Sequence, residues 1–294
     1  MLRKRVVALA LFVLTVVVSG LATVAVANPL AAGARGAAAE RSASGTLSAT
    51  GARSFADLSS CLSSADHFLA SVVVDESGSL QQTDPDNDRV GAIQAALSSL
   101  ASLQTSAGTQ LEVEADLGVF GSDYTQLVGW GPVNGDHGGA LDRAVTQQIP
   151  SRNQAAYTDY RAALQGAEQS IDARAGELDG TTCSAILWFT DGRLDLDENG
   201  EGPKTQDARI QLCQQQGIVD GIRADGTTII AMALFGGKSS GVTANDRARL
   251  KAIAEGRGGG QTCGTVPIPA TSQGGAYLRA DQPDALRASR SSSA

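Results

Sequence analysis

Five oxygen-bearing side chains follow apolar runs or open a helical pattern, where chemistry is most easily placed. The run Phe68-Leu69-Ala70-Ser71-Val72-Val73-Val74 gives way to Asp75-Glu76-Ser77-Gly78-Ser79. A second run, Ala185-Ile186-Leu187-Trp188-Phe189, gives way to Thr190-Asp191-Gly192, and between the two Thr158-Asp159-Tyr160-Arg161 opens a helical pattern. Asp75, Ser77, Ser79, Thr158 and Asp191 together supply two carboxylates and three hydroxyls. Oxygen donors with few charges and room for water suit Mg²⁺ or Mn²⁺, with Ca²⁺ also admissible. His67 and His137 lie far from these loops in sequence and read as ordinary surface or capping residues.

The elements that must position these groups alternate along the chain. The two apolar runs read as short strands covered on both faces. Val90, Ile93, Leu97 and Leu100 recur at helical spacing, whereas Leu111, Val113, Ala115, Leu117 and Val119 alternate, as in a strand with one face more buried. Thr125 to Val133 reads as an edge strand, with Pro132 near its end. A long helix is expected from Tyr160 to about Leu178, a helix from Gln206 to Ile222, a strand from Thr227 to Leu234, a helix from Asn245 to Glu255, and a last strand from Gly275 to Arg279. This alternation implies an α/β fold over residues 56–288, a doubly wound, mostly parallel central sheet with helices on both faces and one antiparallel edge strand. Ligands in such sheets bind beyond the carboxyl ends of the strands, so Asp75 and Asp191 should stand side by side with Thr158 facing them from a loop.

Asp75-x-Ser77-x-Ser79 after a Val-rich strand, Thr158 ahead of Ala163-Leu164, and Phe189-Thr190-Asp191-Gly192 resemble the metal-ion-dependent adhesion site of von Willebrand factor A domains. The order is right, all five ligand positions are filled, and the resemblance spans roughly residues 65–288. It implies that Ser77, Ser79 and Thr158 bind the metal directly or through water, with the aspartates acting partly through water. It further implies an extracellular protein-binding module of bacterial surface type, whose ion takes an Asp or Glu carboxylate from a partner protein.

The first residues read as an address. Arg3, Lys4 and Arg5 precede an apolar run from Val6 to Ala27 that ends in Ala25-Val26-Ala27, the small-x-small pattern of a signal peptide cut after Ala27. The run is also long enough to remain as an anchor, and either outcome puts the rest outside the cell. Residues 28–55, rich in Ala, Gly and Ser, read as a disordered spacer, and 289–294 as a tail of the same kind. The chain carries a formal charge of −8, and loss of the three leader cations takes it to −11. That balance argues against nucleic acid and anionic lipid as partners.

Four cysteines in an exported chain imply two disulfides, and the absence of a Cys-x-x-Cys pair argues against a zinc site built on them. Cys61 precedes the first central strand and Cys183 begins its neighbour, so these two are expected to pair, leaving Cys213 with Cys263.

Weaker signals have plainer readings. Asp195-x-Asp197-x-Asn199-Gly200 starts like a calcium loop, but Gln206 stands where Glu belongs, so an acidic surface turn is expected. Asp84, Asp86 and Asp88 read as a solvated acidic rim, and Lys204 and Arg209 as surface charges. Two rival functions remain at this level: an exported structural domain whose metal only stabilises loops, and a phosphatase-type hydrolase using the Asp195-x-Asp197 pair. The second lacks the buried strand and the nucleophile–base pair that such chemistry needs.

Overall fold

Eight of the nine residues of the first strand are buried, which is why it occupies the middle of the sheet. The computed structural model describes residues 47–107, 110–197, 202–234 and 242–279. The expected leader, spacer residues 28–46 and the tail lie outside these. In chain order the elements are α1 (Ala49–Leu62), β1 (His67–Asp75), a single turn α2 (Leu80–Thr83), α3 (Asp88–Ala107), β2 (Glu112–Phe120), β3 (Tyr124–Pro132), α4 (Gly135–Gln147), α5 (Tyr160–Ala175) and β4 (Thr182–Thr190). There follow α6 (Pro203–Cys213), α7 (Ile218–Ala224), β5 (Thr228–Ala233), α8 (Ala244–Glu255), a small hairpin β6 (Thr262–Cys263) and β7 (Val266–Pro267), and β8 (Ala276–Arg279).

The six-stranded sheet runs β3-β2-β1-β4-β5-β8. Every neighbouring pair is parallel except β2 with β3, which puts the antiparallel strand at the edge. Chain order departs to either side from β1, so the topological switch point falls between β1 and β4. Alternate residues of these strands feed two apolar clusters. Ala70, Val72 and Val74 join Phe55 of α1, Ile93 of α3 and Leu141 of α4, while Leu69, Val73 and Trp188 join Leu164 of α5, Leu212 of α6, Ile222 of α7 and Leu250 of α8. Each fully buried valine or leucine contributes roughly 1.5–3 kcal/mol of burial, enough to fix strand register.

Three local expectations need correction, and one helix was not expected. Helix α1 begins at Ala49, inside the segment expected to be spacer, because Ser48 Oγ accepts from the Gly51 amide at 2.9 Å and Phe55 and Leu58 dock on the core. Strand β2 is covered on both faces rather than one, since Glu114 and Asp116 lie buried under α5. The single helix expected over Gln206–Ile222 is two, α6 and α7, broken where Gln216 takes a positive φ of 57° ahead of Gly217. Helix α4 has no counterpart in the sequence reading, because only Leu141, Ala144 and Val145 mark its buried face.

The cysteines pair as expected, Cys61 with Cys183 and Cys213 with Cys263, with Cα separations of 6.1 and 6.2 Å. Two structural disulfides fit an oxidising, extracytoplasmic compartment. Among the described residues no helix is long and apolar enough to cross a membrane.

Candidate metal centre

The carboxyl ends of β1 and β4 deliver Asp75 and Asp191 to the switch point, and both are fully buried. Register aligns Val74 with Phe189, which sets Asp75 opposite Thr190, and the Thr190 hydroxyl donates to Asp75 Oδ2 at 2.7 Å. The other oxygen, Asp75 Oδ1, accepts the Ser77 amide at 2.8 Å, closing the turn that starts the loop. Ser77 Oγ and Ser79 Oγ then lie 2.9 Å apart. On the β4 side, Thr83 donates its hydroxyl to Asp191 Oδ2 at 3.0 Å, and the Arg193 amide approaches Oδ1 at 3.4 Å. Gly192 makes the turn after Asp191 with φ 95°, a region that disfavours a side chain.

Thr158 reaches the same edge through its backbone. Its amide donates to Asp195 O at 2.8 Å and its carbonyl accepts from Asp195 N at 3.3 Å. The loop ahead of it is joined to the exit of β1, with Gly78 N to Ala155 O at 2.9 Å and Ala155 N to Glu76 O at 3.0 Å. Arg152 reinforces that seam with a 2.9 Å ion pair to Glu76. Gly121 permits this approach, because a Cβ there would collide with Ala155 Cβ. Asp75, Ser77, Ser79 and Asp191 therefore sit in one hydrogen-bonded ring, with Thr158 in the adjoining loop, 3% exposed.

The electrostatics of the ring are those of two carboxyls taken out of water side by side. Burial pushes the Asp75 carboxyl up to about 7, the nearby Asp191 adds to the rise, and the hydrogen bonds from Ser77 and Thr190 oppose it. Asp191 is likewise raised by burial and partly held down by hydrogen bonds from Ser79 and Thr83. Among the described residues no lysine or arginine side chain hydrogen-bonds to either aspartate. Arg89 acts on both through space and Arg193 acts on Asp191, yet the Arg89 guanidinium is committed to Asp84, Ile149 O and Arg152 O, and Arg193 pairs with Asp195 at 3.4 Å. Two buried carboxylates ringed by hydroxyls fit a hard divalent ion, whose charge would relieve their repulsion.

Sequence reading missed several contributors. Thr83 and Thr190 each hold one of the aspartates, and of the two only Thr190 belongs to the Phe189-Thr190-Asp191-Gly192 motif. Asp84 is not part of a solvated rim: it is 4% exposed, pairs with the fully buried Arg89 at 3.1 Å and caps the Asp88 amide at 2.6 Å. Asp86 is exposed as expected, and Asp88 is half-buried. Arg209, read as a surface charge, is 4% exposed. In the acidic turn Asp197 accepts the Thr205 amide at 2.9 Å, capping the start of α6. Positions 198–201 of that turn lie outside the described residues. His67, read as a surface or capping residue, stands beside Glu112 at 3.6 Å, with Glu114 close by.

Residues 71–193 match the sequence profile of the von Willebrand factor type A domain. None of the curated proteins matches the chain. Among solved structures, the PilB minor pilin of Streptococcus sanguinis is 12% identical with a TM-score of 0.48, over 78% of this chain and 60% of the pilin. This chain thus spans less than two thirds of that protein. An aerotolerance-related membrane protein of Bacteroides fragilis is 18% identical with a TM-score of 0.43, over 76% of this chain and 96% of the other. The manganese-loaded TRAP protein of Plasmodium vivax is 15% identical with a TM-score of 0.43, over 76% and 71%.

Proposed function

We propose that the chain, whose residues 71–193 match the von Willebrand factor type A profile, works as an extracellular, metal-dependent protein-binding module. Asp75, Ser77, Ser79, Thr158 and Asp191 would hold the ion, Mg²⁺ or Mn²⁺ before Ca²⁺. When bound, the ion supplies an electrophilic coordination position that a partner's Asp or Glu carboxylate completes. The observation that carries this reading is the pair of fully buried aspartates at the switch point, hydrogen-bonded by hydroxyls and, among the described residues, by no lysine or arginine side chain. The chain's own part is to fix geometry. Thr190 and the Ser77 amide orient Asp75, Thr83 orients Asp191, and the Asp195 backbone pins Thr158.

Export as a secreted or cell-surface protein, through a leader cut after Ala27, belongs to the same reading. Neutral hydroxyls outnumber carboxylates in the donor set, so the ion stays more electrophilic than in an all-carboxylate cage, which favours recognition over a purely structural role. The hydrolase alternative finds no support at Asp197, whose carboxylate caps α6.

Calorimetry with Mg²⁺ and Mn²⁺ tests the site: Asp75→Ala should abolish binding and leave the fold intact, and unchanged affinity would overturn the assignment. Pull-down of native surface proteins tests the recognition. Capture should need Mg²⁺, vanish in EDTA and weaken in Thr158→Ala. Capture by Thr158→Ala in EDTA as tight as wild type would instead make the metal a loop stabiliser only.

A further inference from the structure

At the opposite, amino-terminal edge of the sheet a different donor set converges. His67 opens β1 in register with Glu112 of β2, and Glu114 follows two residues on along the same face. One ligand atom from each of the three lies within 4.8 Å of the others. We propose that His67, Glu112 and Glu114 form a second divalent-metal site, of the zinc type, separate from the oxygen ring at the other end.

His67 Nε2 is 3.0 Å from the Asp179 carbonyl oxygen, which only accepts, so Nε2 carries the hydrogen. In the neutral ring Nδ1 is then a bare lone pair. That atom is buried without a hydrogen-bond partner, and the group it faces, Glu112 Oε2 at 3.6 Å, is another lone-pair donor. Two lone pairs held face to face are relieved either by a proton on Nδ1, which makes the contact an ion pair, or by a metal ion between them. The 3.6 Å gap is long for an N–H···O bond, but it approaches the roughly 3.3–3.6 Å between two ligand atoms sharing one tetrahedral Zn²⁺ with bonds near 2.0–2.2 Å.

The surroundings also fit. A carbonyl on the far nitrogen is the usual device that fixes the tautomer of a metal-bound histidine. Glu114, 1% exposed, is held by Arg174 through two 2.8 Å bonds, and each of its oxygens keeps a lone pair for a metal. Glu112, 53% exposed, leaves the outer side open to water. The neighbouring Asp66 is turned away, accepting from the Thr181 amide at 2.8 Å and its hydroxyl at 3.0 Å. An imidazole with two carboxylates suits Zn²⁺ better than Mg²⁺. Soft competitors are few: all four cysteines are in disulfides, and the other histidine, His137, bonds Ala115 O at 3.0 Å.

The test is calorimetric titration of the chelator-stripped full chain with Zn²⁺ alone, carrying Asp75→Ala so that the other site is disabled. We expect one Zn²⁺ per chain, affinity lowered at least about tenfold by His67→Ala and by Glu112→Gln, and a Zn²⁺-dependent rise in melting temperature that both variants lose. Glu112→Gln alters an exposed side chain, so its reading stands even where His67→Ala unfolds. Absence of Zn²⁺ binding in the Asp75→Ala chain, or undiminished binding in Glu112→Gln, overturns the proposal. Mg²⁺ binding by the chain with Asp75 intact would be unaffected by that failure, so the two sites are judged apart.

Discussion

Thr190 donates its hydroxyl to Asp75 at 2.7 Å across the seam between β1 and β4, so the last residue of one central strand orients the last residue of the other. Tyr160 reaches the same hydroxyl at 3.2 Å from the first turn of α5. The aspartate is therefore placed by three elements at once, and its orientation is a property of the sheet rather than of its own loop.

Thr190→Val keeps the shape and removes this bond. Loss of such an orienting contact typically lowers metal affinity about 10–100-fold, and that is the drop expected in a Mg²⁺ titration. Thr190→Ser should restore most of it. Wild-type affinity in Thr190→Val would show that the hydroxyl does not prepare the site.

Stability without metal should fall as pH rises. Asp75 titrates at about 7 when folded against 3.8 for the free group, so between these values the folded state holds more protons than the unfolded chain. The contribution is favourable in acid and is lost as pH climbs from about 4 to about 7. Denaturant melts in EDTA across this range measure the decline. Added Mg²⁺, which needs the deprotonated carboxylate, should stabilise more near about pH 8 than near about pH 5. A flat EDTA profile would count against a buried, raised Asp75.

Arg89→Leu should destabilise strongly. The guanidinium is fully buried, pairs with Asp84 at 3.1 Å and donates to Ile149 O and Arg152 O at 2.9 and 3.0 Å. Removing it strands a buried acid, a loss of about 3–5 kcal/mol in urea unfolding. Arg89→Lys should rescue little, since one ammonium does not span the same three acceptors. A loss under about 1 kcal/mol would show that Asp84 finds another partner.

Non-reducing peptide maps should recover Cys61 with Cys183 and Cys213 with Cys263. Replacing Cys61 and Cys183 together by serine should lower stability by about 2–5 kcal/mol, since the bridge closes a sequence separation of 122 residues. A recovered Cys61–Cys213 peptide would refute the pairing.

The sheet and the oxygen ring were legible because both obey short rules. Val72-Val73-Val74 and Ile186-Leu187-Trp188 are continuous apolar runs, and the residues after them must emerge at a strand end. Helices α1 and α4 were not legible, since each commits few large apolar side chains: Phe55 and Leu58 in one, Leu141 and Val145 in the other, among glycines and small polar residues. Asp84 and Arg209 look like surface charges in sequence, and only tertiary packing buries them. His67 escaped for a different reason. Its relation to Glu112 depends on how β1 and β2 align, and register is a long-range fact that no local pattern around His67 carries.

The Cys61–Cys183 bridge joins the end of α1 to the second residue of β4, next to the centre of the sheet. Tension entering through the segment ahead of α1 can strip that helix only as far as residue 61. There it meets a covalent bond, and the pull passes directly into β4, hydrogen-bonded along both edges to β1 and β5. The rest of the fold can then yield only by shearing two strand pairs together, not by unzipping from its leading end. A domain stitched this way bears load through its most deeply buried strands.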